Sequence, residues 1–180
     1  CISRIEQGWS PQCDAQPAGD NEWGVLKVGC VNKDMFRGAQ NKRLPATLQP
    51  DPSLEVADGD ILVSRANTTE LLGLAALAES PRKNLLLCDK LFRFRALAAC
   101  FDSKYLVLLL RSRPCRAQIE SSTNGASSSM QNIGQGVLKN LWLAVPPLPE
   151  QLQIVQRIAA DTQPLTAAIA RLEREIEFLR

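Results

Sequence analysis

Histidine is absent from this chain of 180 residues, and aromatic residues make up only 5% of it. Histidine is the commonest general base and the usual partner of a nucleophilic serine or cysteine, so the ordinary tools of catalysis are missing. The six cysteines are scattered without a C-x-x-C pair, which disfavours metal binding by Cys/His clusters. These absences disfavour catalysis without excluding it, and we predict no catalytic residue, no metal and no cofactor.

The chain also lacks an apolar run long enough to cross a bilayer, and its first residues lack the basic and apolar blocks of a signal peptide. A chain of this length can bury a core without disulfides. These features predict a reduced, cytoplasmic protein with no membrane segment, whose cysteines are mostly buried small hydrophobes.

Positive charge is unevenly distributed, although the formal net charge is only +2. Residues 90–116 hold seven basic residues against Asp102, and residues 27–43 hold five against Asp34. Four acidic residues between 51 and 60 offset them. Such segregation suits a basic face that meets a polyanion, but charge runs are also common on ordinary solvated surfaces.

Most of the chain before residue 146 predicts β structure. Two short helices interrupt it, one capped by Asp102 and running through 105–111, and one opened by Pro114 and stopped by Asn124-Gly125. A long polar loop is expected over 31–52. The expected strands are 22–29, 61–65, 71–78, 85–88, 90–95 and 137–145. The fold class is therefore α+β: mostly β-strand with short helices, followed by a long C-terminal helix that forms a coiled coil.

That last helix is marked by apolar residues in alternating steps of three and four. Pro146, Pro147 and Pro149 mark its start, and the pattern runs on to the end of the sequence, about 45 to 50 Å of helix. Pro164 predicts a kink rather than a break, because the phase is kept across it. The heptad seam has Val155, Ile169 and Ile176 at a, and Ile158, Leu165, Leu172 and Leu179 at d.

Two readings of this helix remain open. β-branched residues at a with leucine at d favour pairing with one other helix, so the seam is a candidate dimerisation surface. The other reading is an amphipathic helix folded back on its own domain.

An ordered set of short motifs resembles the specificity subunits of type I restriction-modification systems. The set comprises Gly8-Trp9-Ser10-Pro11, Trp23-Gly24-Val25-Leu26-Lys27-Val28, Asn41-Lys42-Arg43-Leu44-Pro45, Gly59-Asp60-Ile61-Leu62-Val63-Ser64-Arg65, Gly125 with Gln131-Asn132-Ile133, and Pro146-Pro147-Leu148-Pro149-Glu150-Gln151. Each motif is weak alone, but together they cover nearly the whole chain.

The resemblance implies a DNA target recognition domain at 1–146 and a spacer and dimerisation helix at 147–180. Members usually contain two such halves, which read a split site in double-stranded DNA and recruit methyltransferase subunits and a restriction subunit. This chain has one half and no internal repeat. It is therefore either a half subunit that dimerises or the distal half of a longer protein, and in either case a second copy or second half is the expected partner.

The resemblance also directs attention to residues that could contact DNA. Phosphates are best met by Lys33, Lys42, Arg43, Arg93, Arg95, Arg113 and Arg116. Base edges need forked donors or amides: Arg65 or Arg37 toward guanine, and Asn67, Gln131 or Asn132 toward adenine, with Ser64 beside Arg65 at the same strand exit. The alternatives are that Arg93 and Arg95 decorate a solvated strand face and that Gln131-Asn132 closes a turn.

Three other functions compete with DNA recognition. A methyltransferase would need a polar and an aromatic residue around its proline pair, and Val145-Pro146-Pro147-Leu148 has neither. A nuclease would need clustered carboxylates, but the turn at Asp58-Gly59-Asp60 explains two of the candidates. The remaining alternative is a helix-mediated assembly scaffold without DNA specificity.

Overall fold

The computed structural model describes residues 1–31, 35–123 and 131–178. The strands within these ranges are β1 Glu6–Gln7, β2 Gly24–Leu26, β3 Asn41–Arg43, β4 Ile61–Ser64, β5 Ala66–Asn67, β6 Ala75–Leu77, β7 Leu85–Leu86, β8 Leu91–Phe94 and β9 Gln131–Asn132. The α-helices are α1 Ser103–Arg111, α2 Arg113–Ser121, α3 Gln135–Lys139 and α4 Leu148–Phe178, and 3-10 turns occupy Val28–Cys30 and Pro52–Leu54. The predicted α+β class is confirmed.

A sheet with the order β1-β8-β4-β6 forms the centre of the domain, and its three pairings are antiparallel. The predicted turn leads directly into β4, with Gly59 at φ +83, a left-handed value that suits glycine. β4 pairs with β8 in a register that sets Leu62 opposite Arg93 and Val63 opposite Phe92. Both faces of this sheet are covered.

One face of the central sheet packs against helices. Ile61, Val63, Phe92 and Phe94 on this face share a core with residues of α1, α2 and α3, including Leu106, Ile119 and Leu138. The opposite face, carrying Leu62 and Leu91, packs against a second sheet with the order β3-β2-β7. The domain is therefore three layers: helices, central sheet and second sheet.

The two short helices begin as the sequence predicts. Asp102 caps α1 by accepting a hydrogen bond from Tyr105 N at 2.9 Å. α2 begins at Arg113 with Pro114 in its first turn, and Ser112 supplies its cap. The predicted stop at Asn124-Gly125 lies outside the described residues.

Three sequence-based assignments are corrected. The expected strand at 137–145 begins instead as α3 and continues as an irregular segment. The expected strand at 71–78 is a turn followed by the shorter β6. The expected loop at 31–52 contains β3. This short strand forms by pairing with β2, a contact that no local sequence pattern marks.

The long helix α4 begins within the predicted proline-rich start and continues through Pro164. Its first turns are fixed to the domain by Gln151, a fully buried amide with three partners. Gln151 Oε1 accepts from Asp102 N, and its Nε2 donates to the carbonyls of Cys100 and Pro146, each at 2.9 Å. Ile154 and Val155 pack against the helical core, whereas the described side chains from Gln156 onward are exposed. None of the described helices is long and apolar enough to pass through a membrane.

Candidate nucleic-acid interface

Two separate polar segments singled out in the sequence meet in a small antiparallel ribbon. β5 and β9 pair Ala66 with Asn132 and Asn67 with Gln131. The pairing continues one step further, because Ile133 N donates to Arg65 O at 2.9 Å. The structure thus brings Arg65, Asn67, Gln131 and Asn132 together, although more than sixty residues separate the strands. We call this group the amide ribbon.

The amide ribbon contains a positively charged side chain held in a defined position. The guanidinium of Arg65 lies over the ring of Phe92, 5.6 Å from its centroid, and Nη1 donates to Asp89 O at 3.0 Å. Arg65 forms no ion pair with any carboxylate of the described ranges. Asn132 is exposed, while Asn67 and Arg65 are partly exposed. Gln131, predicted beside Asn132, is buried, so the groups of the ribbon that could read base edges are the Arg65 guanidinium and the amides of Asn67 and Asn132.

Ser64, predicted at the same surface, is buried and serves the fold. Its hydroxyl donates to Leu71 O and accepts from Leu74 N, which closes the turn between β4 and β6. The expectation that Ser64 faces DNA is therefore wrong.

Arg93 requires a larger correction, because the face expected to be solvated is covered. Its guanidinium donates to Glu6 Oε2 at 2.9 Å, to Glu55 O at 2.7 Å and to Ser53 O at 2.8 Å. Only 10% of the side chain is exposed. Arg93 is thus a structural residue that ties the central sheet to the 3-10 turn at Pro52–Leu54. Arg95 is half-exposed but is paired with the buried carboxylate of Asp60 at 2.7 Å.

Other cations of the 90–116 run are also engaged within the protein. Arg116 donates to the carbonyls of Leu72, Thr69 and Glu70, and Arg111 donates to Ala75 O. Lys104 pairs with Glu79 at 2.8 Å. The charge run in the sequence therefore does not form one continuous basic face.

The cations of the 27–43 run are arranged differently. Arg37 and Lys42 are exposed, and Lys33 lies outside the described residues. Arg43 is paired with Asp14 at 2.8 Å and lies 3.6 Å from Glu22. The hydrogen bond that Arg43 donates to the Asp14 carboxylate raises the pKa of Arg43, and the carboxylates of Asp14 and Glu22 balance its charge.

The predicted dimerisation seam divides into two parts. Val155 is partly buried and packs against its own domain, so only part of its side chain faces solvent. Ile158, Leu165, Ile169, Leu172 and Ile176 are exposed, and Leu179 lies outside the described residues. Beyond its second turn, α4 therefore does not fold back on its own domain.

No metal cluster of three or more His, Cys, Asp or Glu residues is found within 1–31, 35–123 and 131–178. All six cysteines are free thiols, and Cys30, Cys88 and Cys115 are buried. Burial raises the pKa of Cys88 and of Cys115 to about 11, and it raises the pKa of Cys30 further. These thiols are protonated at neutral pH and poorly suited to nucleophilic chemistry.

The fold of this chain, a three-layer α+β domain followed by a long helix, is similar to that of solved type I specificity subunits. The S subunit from M. genitalium superposes with a TM-score of 0.61 over 97% of this chain and 41% of that chain, at 16% identity. The HsdS subunit from Thermoanaerobacter tengcongensis gives 0.60 over 98% of this chain and 46% of that chain, at 18% identity. These similarities define the fold class of this protein.

A curated relative shares a higher sequence identity with this chain than these solved structures do. The chain is 36% identical over 158 residues to the type I restriction enzyme EcoEI specificity subunit of Escherichia coli. That match covers 87% of this chain and 27% of the relative, so the chain spans about a quarter of the relative's length. No family model matches the chain. The chain is thus similar in sequence to a type I specificity subunit and similar in fold to others, in agreement with the resemblance of the sequence motifs.

Proposed function

We propose that this protein is a non-catalytic DNA recognition component of a type I restriction-modification system, reading one half of a bipartite target in double-stranded DNA. The observation that carries this proposal is the amide ribbon. It brings Arg65, Asn67 and Asn132 into one two-stranded ribbon of a domain related to specificity subunits. Forked donors and amides on a rigid edge can discriminate bases, whereas phosphate contacts alone cannot.

The proposed organisation has a recognition domain at 1–146 and a spacer helix at 147–180. The exposed part of the seam, from Ile158 onward, pairs with a second copy or a second half of the same kind. Two recognition domains held by paired helices would read the two parts of a split site. Methyltransferase subunits and the restriction subunit are the partners that this component would position, and a DNA-directed role of this kind is expected in the cytoplasm.

The test is selection of bound duplexes from a random library, with the protein assembled with its methyltransferase subunits. Wild-type protein should enrich a defined sequence. Arg65→Ala or Asn132→Ala should relax preference at one or two positions by about 5- to 150-fold, the effect of losing one bidentate contact worth roughly 1–3 kcal/mol. Gln156→Ala removes an exposed amide on α4 and is the matched control, which should leave the enriched sequence unchanged.

One alternative has a specific observation in its favour. The exposed seam would serve a helix-mediated assembly scaffold without DNA specificity equally well. Equal recovery of all library sequences by the assembled wild-type complex would support the scaffold and overturn DNA recognition.

A further inference from the structure

A cleft of about 300 Å³ lies between the second sheet and the turn that joins β7 to β8. Lys27 and Lys42 come from the β2–β3 side of this cleft, and Lys90 comes from the turn. Lys42 and Lys90 are exposed, and Lys27 is half-buried. Lys27 and Lys90 were counted in the two basic runs of the sequence but were not among the predicted contacts.

The three ammonium groups are not neutralised by ion pairs. Within the described ranges, none of them lies in a salt bridge, unlike Arg43, Arg95 and Lys104. Asp89 is the one carboxylate in the described lining, and it accepts a hydrogen bond from the Ser10 hydroxyl. Burial raises the pKa of the Cys13 thiol in the same lining, and the Lys42 ammonium partly opposes this rise. The cleft therefore carries an excess of positive charge.

Ser10 and Pro11 of the Gly8-Trp9-Ser10-Pro11 motif form one wall of the cleft. This motif lies outside the amide ribbon, so the ribbon gives it no role. A Cβ at Gly8 would meet Leu87 O at 2.0 Å, so only glycine lets the segment lie this close to the chain leaving β7. Trp9 N donates to Leu87 O at 3.0 Å, and Ser10 Oγ accepts from Asp89 N at 3.1 Å. The motif thus fixes both Ser10 and the Asp89-Lys90 turn.

The cleft adjoins the amide ribbon through the backbone of that turn. Arg65 N donates to Lys90 O at 2.9 Å, and the Arg65 side chain donates to Asp89 O at 3.0 Å. A polyanion whose bases reach the ribbon would therefore carry its backbone past the lysines.

We propose that Lys27, Lys42 and Lys90 form a phosphate-binding site for the DNA backbone, which supplies affinity without sequence preference while the amide ribbon supplies specificity. This inference rests on the proposed function. Lysine acts as a flexible point charge, which fits phosphates better than base edges.

The test measures duplex binding by the assembled complex as a function of salt. Each lysine that neutralises one phosphate contributes about 0.9 to the slope of log K against log salt concentration. Lys27→Gln and Lys90→Gln should each lower the steepness by about that amount, and the triple variant with Lys42→Gln by about 2.7. The enriched sequence should stay the same. Lys139→Gln, at the exposed end of α3, is the matched control.

A second readout separates this inference from the proposed function. Lysines are acetylated with and without a mixed-sequence duplex, and the modified sites are located by mass spectrometry. Protection of Lys27, Lys42 and Lys90 but not Lys139, with no sequence preference, supports the phosphate site and overturns base recognition. If a sequence is preferred but the lysines are unprotected and the salt slope is unchanged, the phosphate site alone is overturned. If no sequence is preferred and the lysines are also unprotected, both proposals are overturned.

Discussion

The globular domain and the exposed part of α4, residues 156–178, place polar and apolar side chains in opposite ways. In the domain, Arg93 and Gln151 are buried, and their polar atoms find partners inside the protein. On the exposed helix, Leu165, Ile169 and Leu172 are each more than half exposed. The domain supplies partners for these two buried polar side chains by itself, whereas the helix leaves apolar groups in solvent.

Two different free-energy costs explain this contrast between the domain and the exposed helix. An unpaired buried guanidinium is very unfavourable, so Arg93 requires its fixed carboxylate and carbonyl partners within one chain. An exposed leucine forgoes roughly 1.5–3 kcal/mol that burial would supply. Several such residues on one face give the helix a reason to associate, which supports pairing with a second helix.

The largest expected effect lies at Arg93. Arg93→Ala removes the partner of Glu6 and leaves the carbonyls of Ser53 and Glu55 without their donor. The free energy of unfolding should fall by about 3–5 kcal/mol, as when one member of a buried pair is removed. Urea denaturation followed by circular dichroism measures this change.

Lys104→Ala is the control for Arg93, because the ion pair between Lys104 and Glu79 has both side chains more than half exposed. It should cost about 1 kcal/mol or less. Similar losses for the two variants would contradict the structural role assigned to Arg93.

The next largest effect is expected where the domain and helix join. Gln151→Ala leaves Asp102 N and the carbonyls of Cys100 and Pro146 without a partner, which should cost about 2–3 kcal/mol. Gln156→Ala in the same helix is exposed and should change stability by at most about 0.5 kcal/mol. The two amides are compared by urea denaturation, and equal values would mean that α4 is not anchored through Gln151.

Sequence reasoning succeeded where the signal was local. The Asp102 cap, the glycine turn before β4 and the proline-marked start of α4 each depend on a few adjacent residues. The amide ribbon was predicted only as separate segments, since pairing between residues 67 and 131 is a tertiary property. The residues were available from the sequence, but their proximity was not.

The failures share a different physical origin. Period-two alternation in β8 correctly separated Arg93 from the phenylalanines, but it cannot show that a second layer covers the arginine face. The charge run at 90–116 likewise contained cations that bind backbone carbonyls across the fold. Periodicity assigns faces, whereas burial of those faces depends on elements that arrive from elsewhere in the chain.

The exposed helix provides a prediction about association. Leu172→Asp places a charge in the seam and should weaken self-association by at least about tenfold, because apolar burial worth roughly 1.5–3 kcal/mol is lost. Ala167→Asp, also exposed but away from the a and d positions, is the matched control. Sedimentation equilibrium measures the difference, and a dimer of unchanged affinity in the Leu172 variant would exclude the seam as the contact.

The last effect is a pH dependence of stability in the globular domain, where burial raises the pKa of the Cys88 thiol, whereas residues 148–178 contain no cysteine. Burial raises the pKa of Cys88 from 9.0 to about 11, so folding protects its proton between these values. Its contribution to stability is present below pH 9 and falls by about 1.4 kcal/mol per pH unit as the pH rises toward 11. In urea denaturation at several pH values, Cys88→Ala should show a shallower decline, whereas exposed Cys1→Ala should not. An identical decline in wild type and Cys88→Ala would show that alkaline destabilisation originates elsewhere in the domain.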